Sequence, residues 1–222
     1  MSEPRTAART PPPVTGRGGV VPYVAMWSGE STVRTTVVQR GRWGIGYADE
    51  LLTDRDRDGV LWTRAVSRPG QGRPLYAKLH PVRQRRAMRR LLCQVCGQPA
   101  DYTEQGHLWL AVEQHDMWPG WPEDSVNPFP PVCTGCAARS VRLCPPLRRG
   151  FTAFRAQSTL HGVIGVQFRP GPAYPGVMLA EDDGGRPVAF SNPVIHWTQA
   201  TQLTRTMHQC RLVDLDALAE SS

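Results

Sequence analysis

The pattern of apolar and polar positions in the first third of the chain predicts short strands. Two segments rich in β-branched and aromatic residues, Val20–Trp27 and Ser31–Gln39, flank a Ser-Gly-Glu turn. Gly59–Val66 has the same character and is followed by the turn-forming run Pro69-Gly70-Gln71-Gly72. We therefore expect a small, mostly antiparallel sheet in an N-terminal β-rich part, residues 20–78.

The centre of the chain, residues 79–150, combines a basic helix with a cysteine-rich module. A helix is predicted over Pro81–Leu92, because proline is tolerated in a first turn and apolar residues at 87, 88, 91 and 92 form one side. Its remaining surface carries five arginines: Arg83, Arg85, Arg86, Arg89 and Arg90. His107–Glu113 predicts a strand, and a Trp- and Pro-rich loop follows it as far as residue 131.

The C-terminal part, residues 151–222, predicts a β-β-α-β order. Leu160–Arg169 and Gly176–Glu181 are the two expected strands, and the Asp-Asp-Gly-Gly run after them is typical of a turn. A helix is predicted from about Thr198 to His208, followed by a last strand over Arg211–Leu215.

Composition sets the class of protein. With 222 residues and 40% hydrophobic content the chain can bury a core, while the Pro- and Gly-rich residues 1–19 predict a disordered tail. No run approaches 18 apolar residues and the first residues lack a signal-peptide stretch, so we expect a cytoplasmic protein without a membrane partner. The net charge of +7 comes from 25 arginines and one lysine. Arginine suits phosphate recognition, although G- and C-rich codons also raise its frequency.

The cysteines give the strongest chemical signal. Cys93 and Cys96 form one C-x-x-C pair, and Cys133 and Cys136 form a second pair 36 residues further on. Together they supply the four thiolates of a tetrahedral structural Zn²⁺ site, one ion per chain, which would lower the net charge from +7 to +5. Four separate buried thiols or two redox dithiols are the alternatives. The other two cysteines, at 144 and 210, are expected to be packed thiols.

The surroundings of the two pairs resemble a treble-clef zinc finger. Gly97 follows the first pair and suits the tight turn of a zinc knuckle, while a good helix former follows the second pair and places Cys136 in a first helical turn. The whole pattern, including Val141-Arg-Leu-Cys-Pro and Leu147-Arg-Arg-Gly, resembles zinc-ribbon-like proteins of high-G+C actinobacteria and their phages, a resemblance that implies no particular activity. We expect an α+β fold: small antiparallel sheets and short helices around a treble-clef-like Cys₄ zinc module.

Two C-x-x-C pairs also resemble those of HNH nucleases, over about residues 90–145. That family usually has an Asp-His pair before the second knuckle, an Asn shortly before it and a metal-binding His just after it. Here His115-Asp116 has the reverse order, Asn127 lies six residues before Cys133, and Ala137 stands where the histidine is expected. A catalytic metal would lack a ligand, so the resemblance implies at most a degenerate nuclease. His107 and His115 remain alternative ligands for a metal.

Other motifs are weaker. Asp54-Arg-Asp56-Arg-Asp58-Gly59 matches the first half of a calcium-binding EF-hand loop, but Ala65 stands where the bidentate Glu should be. We therefore predict an exposed polar turn without calcium. There is no nucleophile elbow, no phosphate-binding P-loop and no dinucleotide fingerprint, so the pattern favours a non-enzymatic protein.

The arginines around the knuckles predict the partner. Arg83, Arg86 and Arg90 have the i, i+3, i+7 spacing of one helix face, which we expect to point outward, and Arg139 and Arg142 follow the second knuckle. Such a surface would bind the phosphates of DNA or RNA, or it is an ordinary solvated face. The segment between the two cysteine pairs, Gly97–Val132, is called the insert, and its aromatic residues would stack on bases or pack against the zinc module: Trp109, Trp118, Trp121 and Phe129. The leading hypothesis is a nucleic-acid-binding or regulatory module, the alternative a protein–protein interaction module.

Overall fold

A computed structural model of the chain describes residues 15–16, 19–42, 44–113, 118–180 and 185–220. The fold is mixed α+β with strands predominating, as expected in broad terms. The strands are β1 Thr15–Gly16, β2 Gly19–Val20, β3 Ala25–Trp27, β4 Val37–Arg40, β5 Gly44–Tyr47, β6 Leu61–Trp62, β7 Pro74–Leu79, β8 Tyr102–Thr103, β9 Gly106–Val112, β10 Val126–Asn127, β11 Phe151–Pro170, β12 Val177–Leu179, β13 Val188–Ala189 and β14 Thr198–Leu212. The helices are α1 Pro81–Arg90, α2 Thr134–Leu143 and α3 Leu215–Glu220, with 3₁₀ turns at Leu147–Arg149 and Pro193–Trp197.

Two long antiparallel strands, β11 and β14, form the centre of the molecule. The main sheet has the order β10-β14-β11-β9-β8. Strand β11 is 20 residues long and changes neighbour along its length, pairing with β9 through its first six residues and with β13 and β12 further on. The sheet therefore runs from the cysteine-bearing module at one end of β11 to β12 at the other.

The predicted helix over residues 198–208 is wrong, because this segment forms most of β14. Ala200, Leu203 and Met207 are fully buried, and their i, i+3, i+7 spacing resembles that of a helix face. A register shift opposite Ile164 and Gly165 inserts one extra residue between Ala200 and Leu203. The bulge puts both side chains on the same face of a strand, since each extra residue reverses the alternation.

The last predicted strand, Arg211–Leu215, is the end of β14 followed by the start of α3.

The predicted helix after residue 80 is confirmed as α1. His80 is its N-cap, with the imidazole accepting the backbone N–H of Arg83, and Pro81 occupies the first helical position. Leu91 ends the helix in a left-handed conformation at φ 52°, two residues before Cys93. The buried Gln84 side chain exchanges two hydrogen bonds with the backbone of Leu203, which fixes α1 against β14.

The N-terminal strands do not form the single small sheet that was expected. Strand β3 pairs with β7, strand β4 pairs with β5, and β6 joins the main sheet in parallel with β14. The predicted strands are also shortened: residues 31–33 and 64–66 form only an isolated antiparallel bridge, centred on Thr32 and Ala65. The predicted tail at residues 1–19 and the Asp-Asp-Gly turn at 182–184 lie largely outside the described residues. The division into parts at residues 20, 79 and 151 stays a prediction.

Two hydrophobic cores lie on the main sheet. The larger one places Met88 of α1 against Trp109, Phe154 and Leu203 of the central strands. The smaller one surrounds the cysteines with Leu108 and Val132. Strands β9 and β11 contribute to both cores, so the cysteine-bearing module packs directly on the central sheet. Among the described residues, no helix is long and apolar enough to cross a membrane.

Candidate metal centre

The first cysteine pair lies in a tight turn that starts as α1 ends. Cys93 N–H donates to the Gln98 carbonyl at 2.7 Å, and Gly97 N–H donates to the Cys93 carbonyl at 2.8 Å. Gly97 has a φ of 71°, a left-handed conformation that favours glycine, as the sequence predicts. The Val95 N–H also points at the Cys93 sulfur at 3.4 Å. The turn thus directs the Val95 N–H toward the Cys93 sulfur, a contact that suits a metal-bound thiolate.

The second pair lies at the N-terminus of α2. Cys133 is the N-cap residue and Cys136 is in the first turn, which confirms the sequence prediction. The Cys136 and Ala137 N–H groups both donate to the Cys133 carbonyl. A helix N-terminus carries partial positive charge, which favours a thiolate. The pKa is lowered at Cys133, whereas the hydrogen bond to Cys133 raises the pKa of Cys136 to about 11.

The four sulfur atoms of Cys93, Cys96, Cys133 and Cys136 all lie within 4.8 Å of one another. The Cys96 and Cys133 sulfurs are 3.9 Å apart, and neither cysteine is disulfide-bonded. A tetrahedron with metal–sulfur bonds of about 2.3 Å requires sulfur separations of about 3.8 Å. The cluster is therefore compatible with a metal ion, and the two alternatives of separate thiols or separate dithiols are not needed to explain it.

The thiols of this cluster are electrostatically coupled. The Cys133 sulfur accepts hydrogen bonds from Cys136 and Cys93, which lowers its pKa, whereas donation to Cys133 and Cys136 raises the pKa of Cys93. The Arg139 guanidinium lies 3.5 Å from the Cys136 sulfur and faces the same negative charge. A divalent cation that binds four such sulfurs displaces the thiol protons.

Polar side chains that the sequence did not single out hold the second pair to the sheet. Thr134, next to Cys133, donates its hydroxyl to the Asp101 carboxylate. Asp101 in turn forms an ion pair at 2.8 Å with the buried Arg155 of β11. A backbone hydrogen bond also links the first pair to the segment just before the second, since the Gln94 N–H donates to the Pro131 carbonyl. The four cysteines thus belong to a fixed framework that extends to the centre of the main sheet.

The prediction that Arg83 points outward from α1 is wrong. This residue is buried and forms a two-pronged ion pair with the buried Glu30, at 2.6 and 2.7 Å. The reason is that Arg83 faces the N-terminal strands, where the carbonyls of Tyr23 and Ala25 and the hydroxyl of Ser67 accept its remaining N–H groups. Arg86 is half-buried and Arg90 is exposed.

Arginines of α2 have the opposite environment. Arg139 and Arg142 are exposed, and neither forms an ion pair among the described residues. Arg148 and Arg149, in the 3₁₀ turn after α2, are exposed in the same way. The guanidiniums near the cysteines that lack a carboxylate partner therefore lie mainly on α2 and the turn after it, and of these Arg139 contacts the Cys136 sulfur.

The acidic turn before β6 is engaged by arginines. Asp54 pairs with Arg64, and Asp56 and Asp58 both pair with Arg89 of α1. These ion pairs use the carboxylate oxygens that a calcium ion would need. Asp54 is only 5% exposed, so the expectation of a fully exposed turn is wrong at its first residue.

The aromatic residues of the insert divide into two groups. Trp109 is completely buried in the larger core, and Trp121 packs edge-on against Phe154. Trp118 and Phe129 remain substantially exposed. Packing therefore accounts for two of the four, and stacking on a ligand is open only to the other two.

The residues that resemble a nuclease site are not assembled among the described residues. Asn127 lies in β10 and uses its side-chain oxygen to accept the Phe129 N–H, while Ala137 is buried beside Cys136. His107 contacts the Tyr102 ring at a tilt of 49° between the ring planes, and it does not belong to the cysteine cluster. His115 and Asp116 lie outside the described residues.

Comparison with known proteins gives no relative: no family model, no curated protein and no solved structure matches this chain.

Proposed function

We propose that the four cysteines bind one Zn²⁺ and that the protein is a non-enzymatic, zinc-stabilised module that binds nucleic acid. Zinc is the metal that four thiolates in a tetrahedral arrangement favour in structural sites. The order of a knuckle, the β8–β9 hairpin and a helix whose first turn supplies the second pair supports a treble-clef-like module.

The exposed arginines of α2 carry the nucleic-acid proposal. Arg139 and Arg142 have the i, i+3 spacing that places both side chains on one helix face. The cysteines fix the first turn of this helix, so the two guanidiniums are presented on a rigid element. Arg148 and Arg149 extend the basic surface, and Arg90 lies just before the first knuckle. Guanidiniums without carboxylate partners gain most from a phosphate backbone, so within the predicted set Arg139 and Arg142 are better candidates than Arg83.

The test is a binding titration of the zinc-loaded chain with labelled duplex and single-stranded DNA and RNA at two salt concentrations. Affinity should fall steeply with salt, and Arg139→Gln or Arg142→Gln should each reduce the salt slope by about one without changing sequence preference. Lys78→Gln, which removes an exposed charge on β7, is the matched control and should leave the slope unchanged. Absence of binding to every nucleic acid at low salt would refute the proposal.

A protein partner is the second candidate function. Trp118 and Phe129 are 39% and 49% exposed in the insert, and exposed aromatic residues are enriched at protein interfaces. Failure of the nucleic-acid titration, together with loss of a protein complex on Phe129→Ala, would favour this alternative.

A further inference from the structure

A second basic site lies on the opposite side of α1 from Arg83. Arg85 and Arg89 of α1 form one wall of a cleft of about 490 Å³, and Arg55, Asp56 and Arg57 of the turn before β6 form the other. We refer to these five residues as the arginine cleft. The cleft is open to solvent and all five of its residues are charged, so it suits an exposed ionic group rather than an enclosed apolar ligand.

Two of the four arginines have a structural function already. Arg55 uses four of its five N–H groups, two with Glu50 and one each with the carbonyls of Gly59 and Ile45. Arg89 donates through a single nitrogen, Nη2, to Asp56 and Asp58. These bonds set the distance between the helix and the turn, and they hold the cleft open without a ligand.

The other two arginines are not neutralised. Among the described residues, Arg57 and Arg85 donate no side-chain hydrogen bond and form no ion pair. Arg57 is exposed, whereas Arg85 is half-buried with its guanidinium stacked on Trp62, 4.4 Å from the ring centre. The Trp62 ring thus lies against the guanidinium, whose N–H groups have no hydrogen-bond partner among the described residues.

The nearest carboxylate cannot satisfy Arg85. Asp56 accepts the backbone N–H groups of Asp58 and Val60 through Oδ1, and Trp62 Nε1 and Arg89 through Oδ2. Burial lowers the pKa of Arg85, the negative charge of Asp56 acts in the opposite direction, and the like charge of Arg89 lowers it further. An anion between the two guanidiniums would pair with the half-buried charge of Arg85 and would also offset its repulsion by Arg89.

We propose that the arginine cleft binds a phosphate group, with Arg57 and Arg85 as the principal ligands and the free N–H groups of Arg89 as a third. Planar guanidiniums from two elements can each present a pair of N–H groups to the oxygens of one phosphate. A phosphate dianion gains more in such a site than a carboxylate, because four arginines here face only the carboxylates of Glu50, Asp56 and Asp58. The phosphate comes either from a free ligand such as a nucleotide or from a nucleic-acid backbone. The proposal does not depend on the basic surface of α2.

The experiment uses the zinc-loaded full chain with three probes: inorganic phosphate, a nucleoside triphosphate and a labelled oligonucleotide. Thermal unfolding is compared in phosphate and in chloride at equal ionic strength, and affinities are measured by calorimetry. We expect phosphate and nucleotide to raise the melting temperature, since a ligand that binds the folded state stabilises it. Arg57→Gln should remove this increment and weaken the affinity by about tenfold or more, the loss typical of a charge-assisted hydrogen bond.

Variants separate the outcomes. Arg57 is exposed and unpaired, so its replacement does not threaten folding, and Arg85→Gln is the second variant. Arg73→Gln removes another exposed arginine distant from the cleft in sequence and serves as the control. If both cleft variants weaken only the oligonucleotide, a nucleic-acid backbone supplies the phosphate. If neither variant differs from Arg73→Gln with any probe, the proposal is wrong, whether or not Arg139 and Arg142 bind nucleic acid.

Discussion

At the scale of single residues, the charges inside the molecule are what the sequence predicts least well. Arg83 is one of five arginines in α1, and its spacing with Arg86 and Arg90 predicts a solvated face. Its partner, Glu30, lies 53 residues earlier in the chain. A carboxylate at that distance leaves no local pattern, so only the folded arrangement shows that Arg83 joins α1 to the N-terminal strands.

His80 is a second buried polar residue in this region, and it predicts a dependence of stability on pH. Its Nδ1 accepts the Arg83 backbone N–H while its Nε2 lies 3.1 Å from the Val66 carbonyl, so the two bonds require the neutral ring protonated on Nε2. Burial, followed by the charge of Arg83, lowers the pKa of His80, although the carboxylate of Glu30 acts in the opposite direction.

As the pH falls, the unfolded chain therefore binds a proton at His80 near pH 6.5, whereas the folded protein binds it only at a lower pH. The contribution of His80 to stability is present above about pH 6.5 and is lost as the pH falls toward the lower folded pKa, with a slope of up to about 1.4 kcal/mol per unit. His80→Asn keeps an N-cap acceptor but does not titrate. Urea unfolding at pH 7.5 and 5.5 should show a smaller pH effect in the variant. Equal pH effects in the two proteins would contradict this explanation.

At the scale of elements, the sequence predicted correctly the helices and strands whose ends are marked by a strong local signal. The helix after His80, the strand near His107 and the helix that starts at Cys133 are confirmed, because a proline, an apolar run and a cysteine pair mark them. Strand β14 was missed because its bulges convert the alternation of a strand into helical spacing. Its long pairing with β11 then overrides the local preference.

Gly165 shows how closely β11 and β14 approach at one of these bulges. A Cβ at this position would lie 2.2 Å from the Gln199 carbonyl oxygen and 2.8 Å from the Ala200 Cα. Both are backbone atoms that cannot rotate away, so Gly165→Ala should separate the strands and lower the free energy of unfolding by about 1–3 kcal/mol. Gly135→Ala, where a Cβ meets nothing within 4 Å, is the control and should be neutral or slightly stabilising. Urea unfolding of both metal-loaded variants measures the difference, and equal stabilities would contradict the predicted clash.

At the scale of the whole molecule, the cysteine cluster connects α1, the β8–β9 hairpin and α2. Spacing alone identified all four cysteines, since paired C-x-x-C motifs bring their own local geometry. The side chains that attach the cluster to the sheet, Asp101, Thr134 and Arg155, come from three distant segments with no common motif. The arginine cleft was missed for the same reason, because its two walls are about 30 residues apart in the chain.

Metal removal should consequently affect more than the cluster itself. The smaller core contains Cys93 and Cys136 together with residues of β9 and β11, which also form the larger core. Structural zinc contributes its binding free energy to folding, about 10–16 kcal/mol in zinc-finger peptides at neutral pH. Chelation should therefore lower the urea midpoint of the whole protein rather than loosen one loop, and added Zn²⁺ should restore it.

A pair of cysteine variants makes this prediction specific to the cluster. Cys133→Ser removes one of the four sulfurs, and we expect its zinc content to fall from one ion per chain to well below one, with a lower urea midpoint in zinc-containing buffer. Cys144→Ser makes the same chemical change one residue past the end of α2, at a cysteine outside the cluster, and should keep both the zinc and the midpoint. Elemental analysis and urea unfolding, each under reducing conditions, measure the two quantities. Equal zinc content in both variants, or no metal in the unmodified protein, would show that these four thiols do not form a zinc site.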